Sequence, residues 1–148
     1  RPRRSACTTR WDWRKNSKME IAHIAIWTER LEELRDFYVR YFGGVSNDKY
    51  TNPDKGFESY FVAFGGGCRL ELMRRTDIQG RNSATQLGLC HLAFELGSRE
   101  EVLTLTERLR SDNHPILGEP RITGDGYFES VAADPDGNQI ELTCKQTP

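Results

Sequence analysis

Two of the three histidines in this 148-residue chain, His23 and His91, sit near the start of apolar runs, AHIAIW and CHLAFEL. Each is followed by a glutamate set between leucines or isoleucines. Glu71 lies in CRLELM, 48 residues after His23, and Glu141 lies in NQIELT, 50 residues after His91. The histidines are 68 residues apart and the glutamates 70, so one arrangement is written twice. A carboxylate inside a sheet is costly unless it is paired, hydrogen-bonded or bound to a cation. Strand alternation sends Leu70 and Leu72, and Ile140 and Leu142, to one face and both glutamates to the other. His23, Glu71, His91 and Glu141 together make an N2O2 set suited to one divalent ion per site, Zn2+, Ni2+ or Co2+ before Mn2+ or Fe2+. His114, in a turn before proline, reads as structural. Arg69, two residues before Glu71, is placed to meet an anionic group at the mouth of such a site; Arg74 and Arg75 read as a solvated edge.

The elements that must position these groups also repeat. Glu20 to Trp27 reads as a strand with two apolar faces, covered on both. Thr28 is expected to cap a helix whose Leu31, Leu34, Phe37, Tyr38, Tyr41 and Phe42 form one stripe, ended by Gly43-Gly44. A polar turn around Asn52-Pro53-Asp54-Lys55-Gly56 leads to a strand from Ser59 to Phe64, and Gly65-Gly66-Gly67 turns the chain into CRLELM. The pattern restarts at Leu89. Ser98 and Glu101 form a capping-box pair before a helix that buries Val102, Leu105 and Leu109. Strands follow near 126–132 and 139–144, joined by Asp134-Pro135-Asp136-Gly137-Asn138. The repeat even includes a tripeptide: Phe57-Glu58-Ser59 and Phe128-Glu129-Ser130 each place a carboxylate in an apolar strand. Modules are expected at about 19–75 and 88–146, linked by the patternless stretch Thr76 to Gln86.

Composition excludes several function classes. Residues 1–18 hold seven Lys or Arg against one Asp, while the remainder holds 14 basic and 21 acidic residues. The basic leader lacks hydrophobic periodicity and is expected to lie outside a domain spanning 19–148. The acidic body argues against nucleic acid as a partner. No apolar run approaches the ~20 residues that span a bilayer. Four cysteines without a C-x-x-C suit neither a zinc ribbon nor a dithiol site, three of them falling in strands as buried thiols, and a cytoplasmic protein is expected. Neither a G-x-S-x-G elbow nor a Walker A loop is present, and the triple glycine is a hairpin rather than a phosphate cradle.

AHIAIWTERLEELRDFYVRYFGG, CRLELM, CHLAFEL and DPDGNQIELT together resemble the vicinal oxygen chelate superfamily, over Met19 to Cys144. The resemblance is closest to glyoxalase I-like members. It implies an α+β fold of two βαβββ modules whose half-barrel sheets enclose a divalent metal, in a homodimer. His23, Glu71, His91 and Glu141 match the ligand order of glyoxalase I-like members. The implied activity is that of a lyase or isomerase moving a proton through a metal-stabilised enediolate of a small-molecule substrate. Glu141 stands at the position of the base, with Glu71 as the other candidate carboxylate. Trp27 replaces the Arg, and Arg75 the Asn, with which glutathione-using members hold glutathione. Neighbouring activities on the same scaffold are an epimerase acting on methylmalonyl-CoA, a ring-cleaving dioxygenase and a non-catalytic drug-binding protein; the last needs no metal.

Overall fold

The computed structural model describes residues 20–80 and 87–145. Residues 1–19, which include the leader, residues 81–86 at the end of the linker, and residues 146–148 lie outside the described residues.

The first module runs β1 (His23–Trp27), α1 (Leu31–Phe42), β2 (Val45–Ser46), β3 (Tyr50–Asn52), β4 (Phe57–Ala63) and β5 (Arg69–Arg75). The second runs β6 (His91–Glu95), α2 (Arg99–Ser111), β7 (Ile116–Ile122), β8 (Tyr127–Ala133) and β9 (Gln139–Lys145). The first sheet is ordered β1-β5-β4-β2, with β3 also on β4, and the second β6-β9-β8-β7. In both sheets the opening strand lies parallel to the closing one, and the other pairings are antiparallel. This is the expected α+β architecture of two half-barrel βαβββ modules. In the first module the strand after the helix is split into β2 and β3; these short pieces, and β7, carry too little alternation to show in the sequence.

One core serves both modules. Leu31, Leu34, Phe37 and Tyr38 of α1 and Val102 and Leu109 of α2 pack on Val62, Leu70, Leu72, Ile140 and Leu142. Each fully buried aliphatic side chain contributes roughly 1.5–3 kcal/mol. The helices cover one face of each sheet and leave the other open. His23, Ala25 and Trp27 are exposed while Ile24 and Ile26 point to the core, which corrects the expectation of a strand covered on both faces.

Helix α1 starts differently from its expected form. Arg30 occupies the cap position without a side-chain bond, and Thr28 Oγ1 instead accepts the Arg30 N–H at 2.9 Å, two residues early. The helix ends as expected on Gly43 at φ 63, whose N–H reaches the Tyr38 carbonyl. Gly44 is required by contact, since a Cβ there would meet Val62 Cγ1 at 2.4 Å. Ser98 caps α2 by accepting from Glu101 N–H at 3.2 Å. The cysteines are corrected too: Cys144 is buried in β9, but Cys90 is exposed and Cys68 partly so, both just ahead of their strands.

The turn at 134–138 fastens the modules together. Asp134 Oδ1 accepts the N–H groups of Asp136 (2.9 Å) and Asn138 (2.8 Å), and Oδ2 accepts Asn138 Nδ2 at 2.8 Å. The fourth donor comes from the other module, Tyr38 O–H at 3.0 Å. Burial pushes the Asp134 carboxyl above its usual range against those bonds, and the Tyr38 hydroxyl well above its own. Nearby, Tyr41 and Arg40 both reach Asp112, Phe42 stacks on Phe94 at 4.3 Å, and His114 packs edge-on against Phe37 and Tyr41, as its structural reading requires.

Candidate metal centre

A His–Glu pair occupies each open face. Ala25 pairs with Glu71 across β1 and β5, and His23, two residues earlier, faces the same way. Ala93 and Glu141 repeat this across β6 and β9, with His91 in the place of His23. The result is two pairs of equal geometry: Nε2 of His23 lies 3.6 Å from Oε2 of Glu71, and Nε2 of His91 lies 3.6 Å from Oε2 of Glu141. Both histidines are exposed and both glutamates half-buried.

The spacing tests the fit to a metal. It is too long for a hydrogen bond. Donors at about 2.0–2.2 Å from one tetrahedral ion stand about 3.4 Å apart, so 3.6 Å suits two groups sharing a divalent cation. The donor chemistry fits as well, one imidazole and one carboxylate in each pair. Among the described residues, no third histidine, cysteine or carboxylate joins either pair in a metal-holding group. The four residues singled out in the sequence are therefore brought together two by two, with one His–Glu pair in each module.

The surroundings of the two pairs differ. On the second face Glu129 is buried near Glu141, and Arg121 Nε and Nη2 both donate to its Oε1, at 3.1 and 2.9 Å. The Glu141 carboxyl is raised, first by burial and then by the charge on Glu129, with His91 opposing. Glu129 was hidden by the tripeptide repeat, which is one residue out of register. Phe-Glu-Ser recurs at a spacing of 71, whereas the strands repeat at 70: Ser59 pairs with Met73 and Glu129 with Thr143. Glu58 consequently sits on the opposite side of its strand, near Lys49 and Arg74. Counting back from the two glutamates that pair with histidines, Glu71 and Glu141, rather than from the tripeptide, finds Glu129.

The first face is aromatic and cationic. His23 meets Phe61 edge-on, Arg69 lies over Phe61 at 4.5 Å, and Arg75 lies over Trp27 at 5.3 Å. The two departures from the glutathione-holding pattern, Trp27 and Arg75, thus touch each other as a stacked unit.

A pair of βαβββ half-barrels, each presenting a histidine and a glutamate from its first and last strands, defines a vicinal oxygen chelate protein. A model of the Glyoxalase/Bleomycin resistance protein/Dioxygenase superfamily matches residues 20–142, and the chain belongs to that superfamily. It is 28% identical over 123 residues to YwkD of Bacillus subtilis (strain 168), an uncharacterized protein, covering 82% of this chain and 94% of that one. Among solved structures, a glyoxalase family protein from Enterococcus faecalis is 27% identical with a TM-score of 0.70, covering 86% of this chain and 98% of the other. A glyoxalase/bleomycin resistance/dioxygenase domain from Frankia sp. EAN1pec, 16% identical, has a TM-score of 0.75 over 86% of this chain and 98% of its own. A glyoxalase I variant of Zea mays is 25% identical with a TM-score of 0.69; it is matched over 83% of this chain, which spans 43% of the maize protein's length. Among the described residues no helix is long and apolar enough to cross a membrane.

Proposed function

We propose that the protein is a divalent-metal-dependent lyase or isomerase of the glyoxalase I type, moving a proton on a small carbonyl or thiol-adduct substrate. The observation that carries this reading is the repeated His–Glu pair, 3.6 Å apart in both modules and presented on open sheet faces. His23, Glu71, His91 and Glu141 would hold the metal, Zn2+, Ni2+ or Co2+ before Mn2+ or Fe2+. When bound, the ion supplies Lewis-acid stabilisation of the oxyanion charge that develops as a carbon acid ionises. Glu141 takes the proton, aided by the partly dry surroundings of its strand, and the open faces admit the substrate. The Trp27–Arg75 stack favours a co-substrate other than glutathione.

Each face supplies two donors, so a closed site needs one first module against one second module. A two-fold homodimer provides two such sites at once, His23 and Glu71 of one protomer meeting His91 and Glu141 of its partner.

Elemental analysis of the purified protein tests the metal. His91→Ala or Glu71→Ala should abolish stoichiometric binding and His114→Ala should not; an unchanged affinity in the His91 variant would overturn the assignment. With metal restored, Glu141→Gln should lower turnover of methylglyoxal hemithioacetals by about 10²-fold or more; near-normal turnover moves the base to Glu71 or elsewhere. Refolding His23→Ala with His91→Ala tests the shared site. A heterodimer then has one site with both lesions and one with neither, so metal binding returns. Heterodimers seen by mass spectrometry that bind no metal would refute sharing.

A further inference from the structure

Three arginines lie on β5, and two of them are matched by carboxylates. Arg74 Nη1 is 3.7 Å from Glu58, and Arg75 Nε bonds Asp77. Arg69 has no carboxylate partner among the described residues. Its guanidinium carbon lies over Phe61, 4.5 Å from the ring centroid, and His23 meets the same ring at 5.5 Å and 87°. Arg69 is also the register partner of His23 on the neighbouring parallel strand. The cation therefore stands beside the first His–Glu pair on the open face. Stacking holds the planar head in place while its edge keeps five N–H donors in a fork that matches an oxyanion.

The internal repeat shows that the fold does not require this arrangement. In the second module Gln139 stands opposite His91 and Val131 opposite Glu141, where the first module has Arg69 and Phe61. The repeat thus keeps the pair and the apolar face beneath it but changes the cation and its platform.

We infer that Arg69 is the anion-recognition residue of this site, and that the substrate carries a carboxylate or similar planar oxyanion. The identity of the reacting group rests on the proton-transfer reading above; the anion does not. Calorimetry on the metal-free protein with benzoate and its neutral isostere benzamide tests it. Wild type should bind benzoate at least about tenfold more tightly, the usual worth of a charge-assisted contact. Arg69→Gln should erase the preference, Arg69→Lys should restore part of it, and Arg74→Gln should leave it intact. Equal binding of the two probes by wild type, or a preference that survives in Arg69→Gln, overturns the assignment. A second arm compares metal-restored protein on methylglyoxal adducts of 3-mercaptopropionate and 2-mercaptoethanol. The ratio of their kcat/KM values should favour the anionic adduct and fall about tenfold in Arg69→Gln. A ratio unchanged in that variant counts against Arg69. Absence of turnover with both adducts overturns the reaction proposed above, while the benzoate comparison decides Arg69 on its own.

Discussion

Tyr38→Phe removes one oxygen at the seam between the modules, and its effect can be worked out from the contacts. The hydroxyl lies 3.0 Å from Asp134 Oδ2, with Tyr38 fully buried and Asp134 nearly so. A hydrogen bond to a charged group contributes about 1.5–3 kcal/mol. Asp134 keeps three other donors, from Asp136 N–H, Asn138 N–H and Asn138 Nδ2, so it is not orphaned. The loss should therefore fall at the low end, about 1.5–2 kcal/mol, or roughly 3–8 °C in Tm for a domain of this size. Its pH dependence has a definite sign. The folded Asp134 carboxyl is raised above 3.8 despite the Tyr38 bond, which itself lowers it. Removing the donor raises it further, so the gap between wild type and variant opens as pH rises through the Asp134 titration and narrows in acid. Urea melts at neutral and acid pH read this directly, with the m-value unchanged. Metal binding should be unaffected, because Tyr38 touches neither His–Glu pair. A loss under about 0.5 kcal/mol at neutral pH would refute the assignment of this bond as a clasp.

Gly44→Ala should destabilise by about 1–3 kcal/mol, since its methyl group collides with Val62 and Phe64 in the core; a melting curve within error of wild type would contradict the packing. Ser98→Ala should cost about 1 kcal/mol by uncapping α2, and Ser98→Asp should restore most of it in the same urea titration. Tyr41→Phe should matter most at neutral pH. The Tyr41 hydroxyl, ahead of Arg40 and Arg108, holds the Asp112 carboxyl below its usual 3.8. That contribution is present above the unfolded value and lost as pH falls through the lower folded one, so the two melting curves should converge in acid. A gap that widens instead would show that Asp112 is not the partner.

Repetition made most of the fold legible, because each module is short and its buried stripes are strong. Leu31, Leu34, Phe37 and Tyr38 on one helix, and Leu70 and Leu72 around Glu71, could be read without coordinates. The parallel pairing of first and last strands, which sets each histidine beside its glutamate, came from the structure. What could not be read was set by tertiary contact. Thr28 has the right chemistry for a cap, but the chain leaves β1 through a turn that spends the hydroxyl on Arg30. The open faces were hidden because Ile24 and Ile26 alternate with Ala25 and Trp27, so an uncovered face looks as apolar as a covered one. Glu129 was masked by a stronger local likeness, a tripeptide match outweighing the slower beat of the strands. The Tyr38–Asp134 bond spans 96 residues and has no local signature.

Strands β1 and β6 are five residues each and stand at the outer edge of their sheets. An outer strand presents a row of amide groups available to another strand. These two margins are alike in shape, while β2 and β7 form the other ends of the sheets. A two-fold partner seals both margins at once and the assembly stops at two. A partner engaging only one margin leaves the other free, and addition continues head to tail into a filament. Brevity is a partial safeguard, because five residues offer few rungs to an incorrect neighbour. The same duplication that repeats the His–Glu pair thus also repeats the uncovered edge strand that carries its histidine.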